Sequence, residues 1–110
     1  WLESGMTVTS GDTLMFTAQG TVVYSPAGYA CGPAGTTWND SRERKDPMWE
    51  RPHASLIGRI GETGTPFFIG DRYSFQTMRG GKVFLGINDY WHQGNCGKFT
   101  VNIRRRSPDL

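Results

Sequence analysis

The sequence predicts an all-β fold, a single antiparallel β-sandwich of the jelly-roll kind, and three observations support this. Apolar residues recur with a period of two, as they do in strands buried on one face. Glycine, proline, asparagine and aspartate interrupt these runs every ~8–12 residues, the spacing of short strands in sandwiches and barrels. The 110 residues include 15 glycines and 36% hydrophobic residues, which suits one loop-rich globular domain over residues 1–110 and excludes a disordered chain.

The strands are expected in seven segments. In the first, Leu14, Phe16 and Ala18 alternate with residues of the opposite face, and Gly20 ends the run. The β-branched run 21–24 forms the second strand. Five further runs are each bounded by turn-forming residues, and they cover positions 56–60, 67–69, 73–77, 83–87 and 99–103.

Two segments depart from this rhythm. Residues 25–55 form a long loop rich in proline and charge, and a loop of this length in a small domain is usually functional or tied down by a cross-link. Residues 104–110 form a basic tail, and without its arginines the net charge of +2 falls to about neutral. Because no basic stripe runs through the fold and no apolar run approaches ~18 residues, we expect neither nucleic-acid binding nor a membrane span.

The two cysteines, Cys31 and Cys96, lie beside glycines in polar, aromatic-rich loops. They fit either a disulfide in an oxidising compartment or two free thiols in a reducing one. Buried free thiols usually occur inside apolar strands, so the pattern favours a disulfide and a secreted or extracytoplasmic protein. In the chain-entropy model such a bridge stabilises the fold by ~4 kcal/mol.

Enzyme motifs are absent from the sequence, so we expect no catalytic activity. There is no G-x-S-x-G nucleophile turn, no phosphate-binding glycine-lysine loop and no H-E-x-x-H metal motif. The carboxylates are scattered, and only Asp46 and Glu50 lie close together in one loop. The spacing of His92 and Cys96 matches no zinc finger or ribbon.

The most informative segment, residues 87–99, joins two β-patterned runs through a polar loop. It carries a carboxylate at Asp89 and carboxamides at Gln93 and Asn95, which are oxygen ligands that calcium prefers. The same side chains also satisfy backbone groups in ordinary turns. From the residues alone, turn capping is the simpler interpretation, and a calcium site is the alternative.

Four segments in the same order resemble a known family. They are residues 11–24, the Cys-Gly-Pro-Ala-Gly loop at 31–35, the run 56–61, and residues 88–103 with their Asn-x-Gly-x-Phe-x-Val-x-Ile ending. The chain is similar to the PA-I-type galactophilic lectins, small bacterial β-sandwich proteins that bind galactose through calcium. It also resembles divergent members of that broader family, which occur as accessory domains of larger secreted enzymes. The resemblance implies a lectin-like fold and galactose-containing glycans as partners.

The resemblance also implies a calcium ligand set. Tyr24 matches the position that offers a backbone carbonyl, Asp89 the carboxylate, and Asn95 the final asparagine. A middle backbone carbonyl falls near His92 or Gln93. This loop is shorter than the lectin pattern, and Gly94 stands where a second ligating asparagine is expected, which should weaken calcium binding.

For the sugar itself, the chemistry of the side chains points to aromatic and polar residues of the loops. Trp49 or Trp91 offers an aromatic face for the apolar side of galactose, and His53 or Gln93 offers a hydrogen bond to a hydroxyl. The alternative is a non-catalytic structural or interdomain β-sandwich module of a larger secreted protein, with neither metal nor sugar. Contacts with other domains of such a protein, or a homo-oligomer, are further possible partners.

Overall fold

The computed structural model describes residues 1–24, 28–36, 46–89 and 96–108. These residues form eight strands and no helix, so the predicted all-β class is confirmed. In chain order the strands are β1 (Leu2–Val8), β2 (Thr13–Val23), β3 (Ala30–Cys31), β4 (Leu56–Ile60), β5 (Phe67–Phe68), β6 (Arg72–Gln76), β7 (Gly81–Ile87) and β8 (Cys96–Arg106). Within the described ranges, no helix has the length and apolar character needed to cross a bilayer.

Two antiparallel sheets make up the β-sandwich. The first has the strand order β1-β7-β4-β5. In the second, β2 is central and pairs with β8 along its whole length. The other edge of β2 is shared by β6, which pairs with its first half, and by β3, which pairs with its last residues. The chain therefore first leaves the second sheet after β3, and it returns to it from the first sheet after β5 and again after β7.

The core lies between the sheets and follows the alternation of the sequence. Leu14 and Phe16 of β2 are almost fully buried, and burying such a side chain stabilises the fold by ~1.5–3 kcal/mol. The ring of Phe16 packs against Phe67 and Phe75, with centroid distances of 5.9 and 6.4 Å. Buried aliphatic residues from four further segments complete the core: Val8, Leu56, Ile60, Ile69 and Val83.

The strand β2 is one continuous element where the sequence predicts two. Gly20 does not end it, because its φ of 113° allows β8 to pass very close, and a Cβ there would overlap the Lys98 carbonyl oxygen. Two strands were not predicted at all. β1 is an edge strand with a register shift and a glycine, Gly5, at its centre, and β3 has only two residues.

The arginine run is exposed but lies in a strand, whereas the sequence places it in a basic tail that begins at residue 104. Arg104, Arg105 and Arg106 are the last residues of β8 and pair with the start of β2. Arg105 Nη1 donates a hydrogen bond to the Thr7 carbonyl at 3.0 Å. Its Nε lies 3.9 Å from the Asp12 carboxylate. The arginine run is therefore part of the second sheet.

The predicted disulfide is wrong, since Cys31 and Cys96 are both free thiols. Cys31 pairs with Val22 across one edge of β2, and Cys96 pairs with Val23 across the other. With β2 between them, their Cα atoms are separated by two strand spacings, ~9.5 Å, whereas a disulfide needs ~4.4–6.8 Å. Burial raises the pKa of the Cys31 thiol to about 11. It lies instead 3.8 Å from the Ala54 carbonyl, to which it donates a weak hydrogen bond.

Candidate functional site

Asn88, the residue after β7, holds the second half of the long loop against the end of the first sheet. Its side chain is fully buried. Its Oδ1 accepts from the Met48 N–H at 2.8 Å, and its Nδ2 donates to the carbonyls of Met48, Arg51 and Pro52 at 2.8, 3.2 and 3.1 Å. Each polar atom of the carboxamide thus has a partner. One side chain therefore holds the backbone at three positions between residues 48 and 52.

The backbone of Asn88 makes two more hydrogen bonds to the same loop. Its N–H donates to the Ser55 carbonyl, and its carbonyl accepts from the Ala54 N–H, both at 2.8 Å. Ala54 has a φ of 63°, a conformation that costs a non-glycine residue ~1 kcal/mol. The Ser55 N–H and hydroxyl both donate to the Pro52 carbonyl and close this turn. The strained turn places His53 at the interior end of the loop.

The segment after β3 packs against that turn and fixes the backbone of His53. The Thr36 N–H donates to the His53 carbonyl at 2.9 Å. This approach requires Gly35, whose φ is 86° and whose hypothetical Cβ would lie 2.8 Å from the Cβ of Pro52. The loop at 31–35 and the residue after it therefore hold the backbone of His53 in place.

Three buried titratable side chains meet at this point: Asp46, His53 and Asp89 are only 4%, 2% and 3% exposed. His53 Nδ1 and Asp46 Oδ2 are 2.6 Å apart, a short hydrogen bond in which the ring nitrogen donates. On the other side of the ring, His53 Nε2 lies 3.9 Å from Asp89 Oδ2, which is too far for a hydrogen bond. Among the residues that the structure describes, Nε2 has no hydrogen-bond partner.

The cluster concentrates negative charge where water is excluded. Ionised carboxylates in such surroundings are unfavourable unless hydrogen bonds, a proton or a cation offset their charge. One ligand atom from each of the three residues lies within 4.8 Å of the others. The cluster therefore has the dimensions of a metal-binding group.

Of the predicted calcium ligands, Tyr24 and Asp89 are both brought to His53. The Tyr24 ring meets the imidazole edge-on, with centroids 5.4 Å apart, and its hydroxyl donates to Thr36 Oγ1 at 3.3 Å. Because Tyr24 follows β2 and Asp89 follows β7, the site lies at the end of the sandwich between its two sheets. Gln93 and Asn95 lie outside the described residues.

The two predicted sugar contacts among the described residues, Trp49 and His53, differ in solvent exposure. Trp49 is 57% exposed and follows Met48, whose backbone Asn88 holds. His53, by contrast, is buried, so its ring is placed to support its neighbours or an ion rather than to meet a sugar in solvent. Trp91 lies outside the described residues.

Sequence reasoning missed two residues of the site. Asp46 was noted only as a neighbour of Glu50, although its partner is His53, seven positions along the loop. Asn88 was read as part of the polar loop, whereas its side chain is the main anchor of the facing loop. The sequence holds only a weak signal for either, an Asp-Pro pair and an Asn-Asp pair among many polar residues.

Comparison with known proteins shows a similarity to solved structures. No protein-family model matches the chain, and no curated protein matches it. Among solved structures, the chain is similar to the N-terminal domain of EclA, described as a PllA-like lectin, with a TM-score of 0.72 and 19% identity. The similarity covers 94% of this chain and 85% of that one. At this identity the comparison establishes the architecture, and the chain has the fold of a lectin domain of the β-sandwich type.

Proposed function

We propose that the chain is a non-catalytic carbohydrate-binding domain that recognises galactose-type sugars through a calcium ion at Asp89. The observation that carries this proposal is the meeting of Tyr24 and Asp89 around His53 at the end of a lectin-type sandwich. The sequence resemblance expects those two residues to share a metal site. A role in glycan recognition also favours a secreted or extracytoplasmic location.

The oxygen donors at Asp89 suit a hard cation such as calcium. Asp89 offers a buried carboxylate, and Tyr24 offers a backbone carbonyl by the family pattern. Gln93 and Asn95 complete the proposed ligand set. A bound calcium ion would supply open coordination positions for two vicinal sugar hydroxyls.

Trp49 is the residue best placed to cover the apolar face of the sugar. Its side chain is exposed on a loop that Asn88 fixes next to Asp89, so the ring can stack without the loop first becoming ordered. Trp91 is proposed as the alternative residue for this contact. The buried ring of His53 supports Tyr24 and Asp89. A monosaccharide bound at one such surface is expected to have a Kd of ~10 μM to 1 mM, so several copies are needed for avidity.

The proposal is tested by titrating the protein with methyl-galactoside and methyl-glucoside in calcium and after chelation. We expect saturable binding of the galactoside that chelation abolishes. Asp89→Asn should also lose binding, whereas Asp71→Asn, a change at an exposed carboxylate, should not. Absence of sugar binding by the folded, calcium-loaded protein would favour the structural-module alternative.

The aromatic contact has its own control. Trp49→Ala should weaken galactoside binding ~3–10-fold, the loss expected for one aromatic contact. Trp1, which is also substantially exposed, lies against Arg59 with the guanidinium 4.5 Å from its ring centroid. Trp1→Ala should leave the affinity unchanged. Equal effects of the two substitutions would remove Trp49 from the sugar site.

A further inference from the structure

The imidazole of His53 has one nitrogen whose hydrogen bonding is unexplained. Nδ1 is bonded to Asp46, but Nε2 is buried, lacks a hydrogen-bond partner among the described residues, and is directed toward Asp89 Oδ2. Buried polar atoms are nearly always satisfied, so an exception indicates a missing partner. A cation between Nε2 and the Asp89 carboxylate would supply that partner.

The short hydrogen bond to Asp46 determines which nitrogen of the imidazole can bind a cation. When the carboxylate accepts the Nδ1 proton at 2.6 Å, the neutral ring keeps a lone pair on Nε2. A carboxylate behind the distal nitrogen of a ligating histidine is the usual arrangement in metalloproteins, where it fixes the tautomer and raises the basicity of the ligand. Asp46 is therefore a positioning residue rather than a ligand.

The distance across the gap is close to the separation of two ligands of one ion. Ligand atoms ~2.1 Å from a tetrahedral metal lie ~3.4 Å apart, and opening the angle between them to ~135° gives ~3.9 Å. His53 Nε2 and Asp89 Oδ2 are 3.9 Å apart. This distance is too long for a hydrogen bond and leaves room for a metal ion.

We propose that His53 Nε2 and Asp89 Oδ2 bind a divalent transition-metal ion of the zinc class, with Asp46 orienting the imidazole. Imidazole nitrogen suits zinc, cobalt and nickel, whereas calcium prefers oxygen alone. Such a site has two protein ligands and open coordination positions. The cysteine and histidine spacing of zinc fingers therefore does not identify it in the sequence. It does not depend on sugar binding, but because Asp89 belongs to both ligand sets, zinc and calcium should compete.

The experiment uses the purified chain, stripped of metal and titrated with zinc against a chromophoric chelator. The chain has two histidines, so His92 provides the matched control. We expect one zinc equivalent to bind wild type and His92→Gln alike, and at least ~100-fold weaker binding to His53→Gln. Asp46→Asn should weaken binding ~10–100-fold, the range seen when a carboxylate behind a metal-binding histidine is removed. Cys96→Ser, at an exposed thiol, should have no effect.

A measurement on wild type covers the case in which His53→Gln does not fold. Zinc should shift the ¹⁵N resonance of His53 Nε2 while Nδ1 remains protonated, and calcium in excess should reverse that shift. Zinc binding of unchanged affinity in folded His53→Gln, a zinc shift confined to His92, or no binding at all would each overturn the inference. Zinc binding without galactoside binding would reject the proposed function alone, and calcium-dependent galactoside binding without zinc binding would reject the inference alone.

Discussion

Replacing Asn88 by alanine should release the long loop and destabilise the whole domain. The substitution removes four side-chain hydrogen bonds to Met48, Arg51 and Pro52. Three of them share the two protons of Nδ2, so the equivalent of about two to three bonds is lost. At ~1 kcal/mol per bond, with a further penalty for carbonyls left without a donor, the free energy of unfolding should fall by ~2–4 kcal/mol. This is a large part of the ~5–15 kcal/mol typical of a domain.

Urea denaturation measures this change as a lower midpoint at an unchanged m-value. Asn102→Ala is the matched control, because Asn102 is exposed on β8 and its removal should change the unfolding free energy by less than ~0.5 kcal/mol. Amide exchange gives a local readout, since the Met48 N–H donates to the side chain that is removed. A loss of stability below ~0.5 kcal/mol, or unchanged protection at Met48, would refute the assignment of Asn88 as the anchor.

Two further predictions concern the second sheet. Gly20→Ala should cost more than ~3 kcal/mol by thermal denaturation, because its Cβ overlaps the Lys98 carbonyl in addition to the unfavourable φ. Gly5→Ala, with a similar positive φ but open space around it, should cost only ~1 kcal/mol, and equal losses would contradict the close approach of β8. For the thiols, Cys96 should react with a thiol reagent at pH 8 much faster than Cys31, and a reductant should leave the melting temperature unchanged. Because the fold raises the pKa of Cys31 from 9.0 to about 11, the contribution of this thiol to stability is complete below pH ~9 and is lost as the pH rises toward 11. A drop in melting temperature on reduction would contradict the free thiols.

The parts of the fold that the sequence predicted are those governed by local alternation. Leu14 and Phe16 face the core because the period of two places them on one face of β2. Gly20 was misread as a strand end because a sequence does not distinguish a turn glycine from one that admits a neighbouring backbone. β1 was missed because Gly5 and the polar residues around it weaken the pattern of an edge strand.

The residues around His53 depend on longer-range contacts. The family resemblance expected Tyr24 and Asp89 to share a calcium site; both lie next to His53, and the shared site stays a prediction. The disulfide prediction failed because the pairing of Cys31 and Cys96 with opposite edges of β2 depends on sheet order, which spacing along the chain does not encode. The contact between Asp46 and His53 depends on a loop path set by the Asn88 anchor and by the strained turn at Ala54.

The most direct test is the melting temperature of wild type and Asp89→Asn, measured with saturating calcium, with saturating zinc, and with a chelator. A ligand at 100 times its Kd stabilises the folded state by about 2.7 kcal/mol, which corresponds to a rise of ~10 °C in a domain of this size. We predict such a rise for wild type with each ion, and little or none for Asp89→Asn. Melting temperatures of wild type that are the same with either ion as with chelator would contradict the metal site at Asp89.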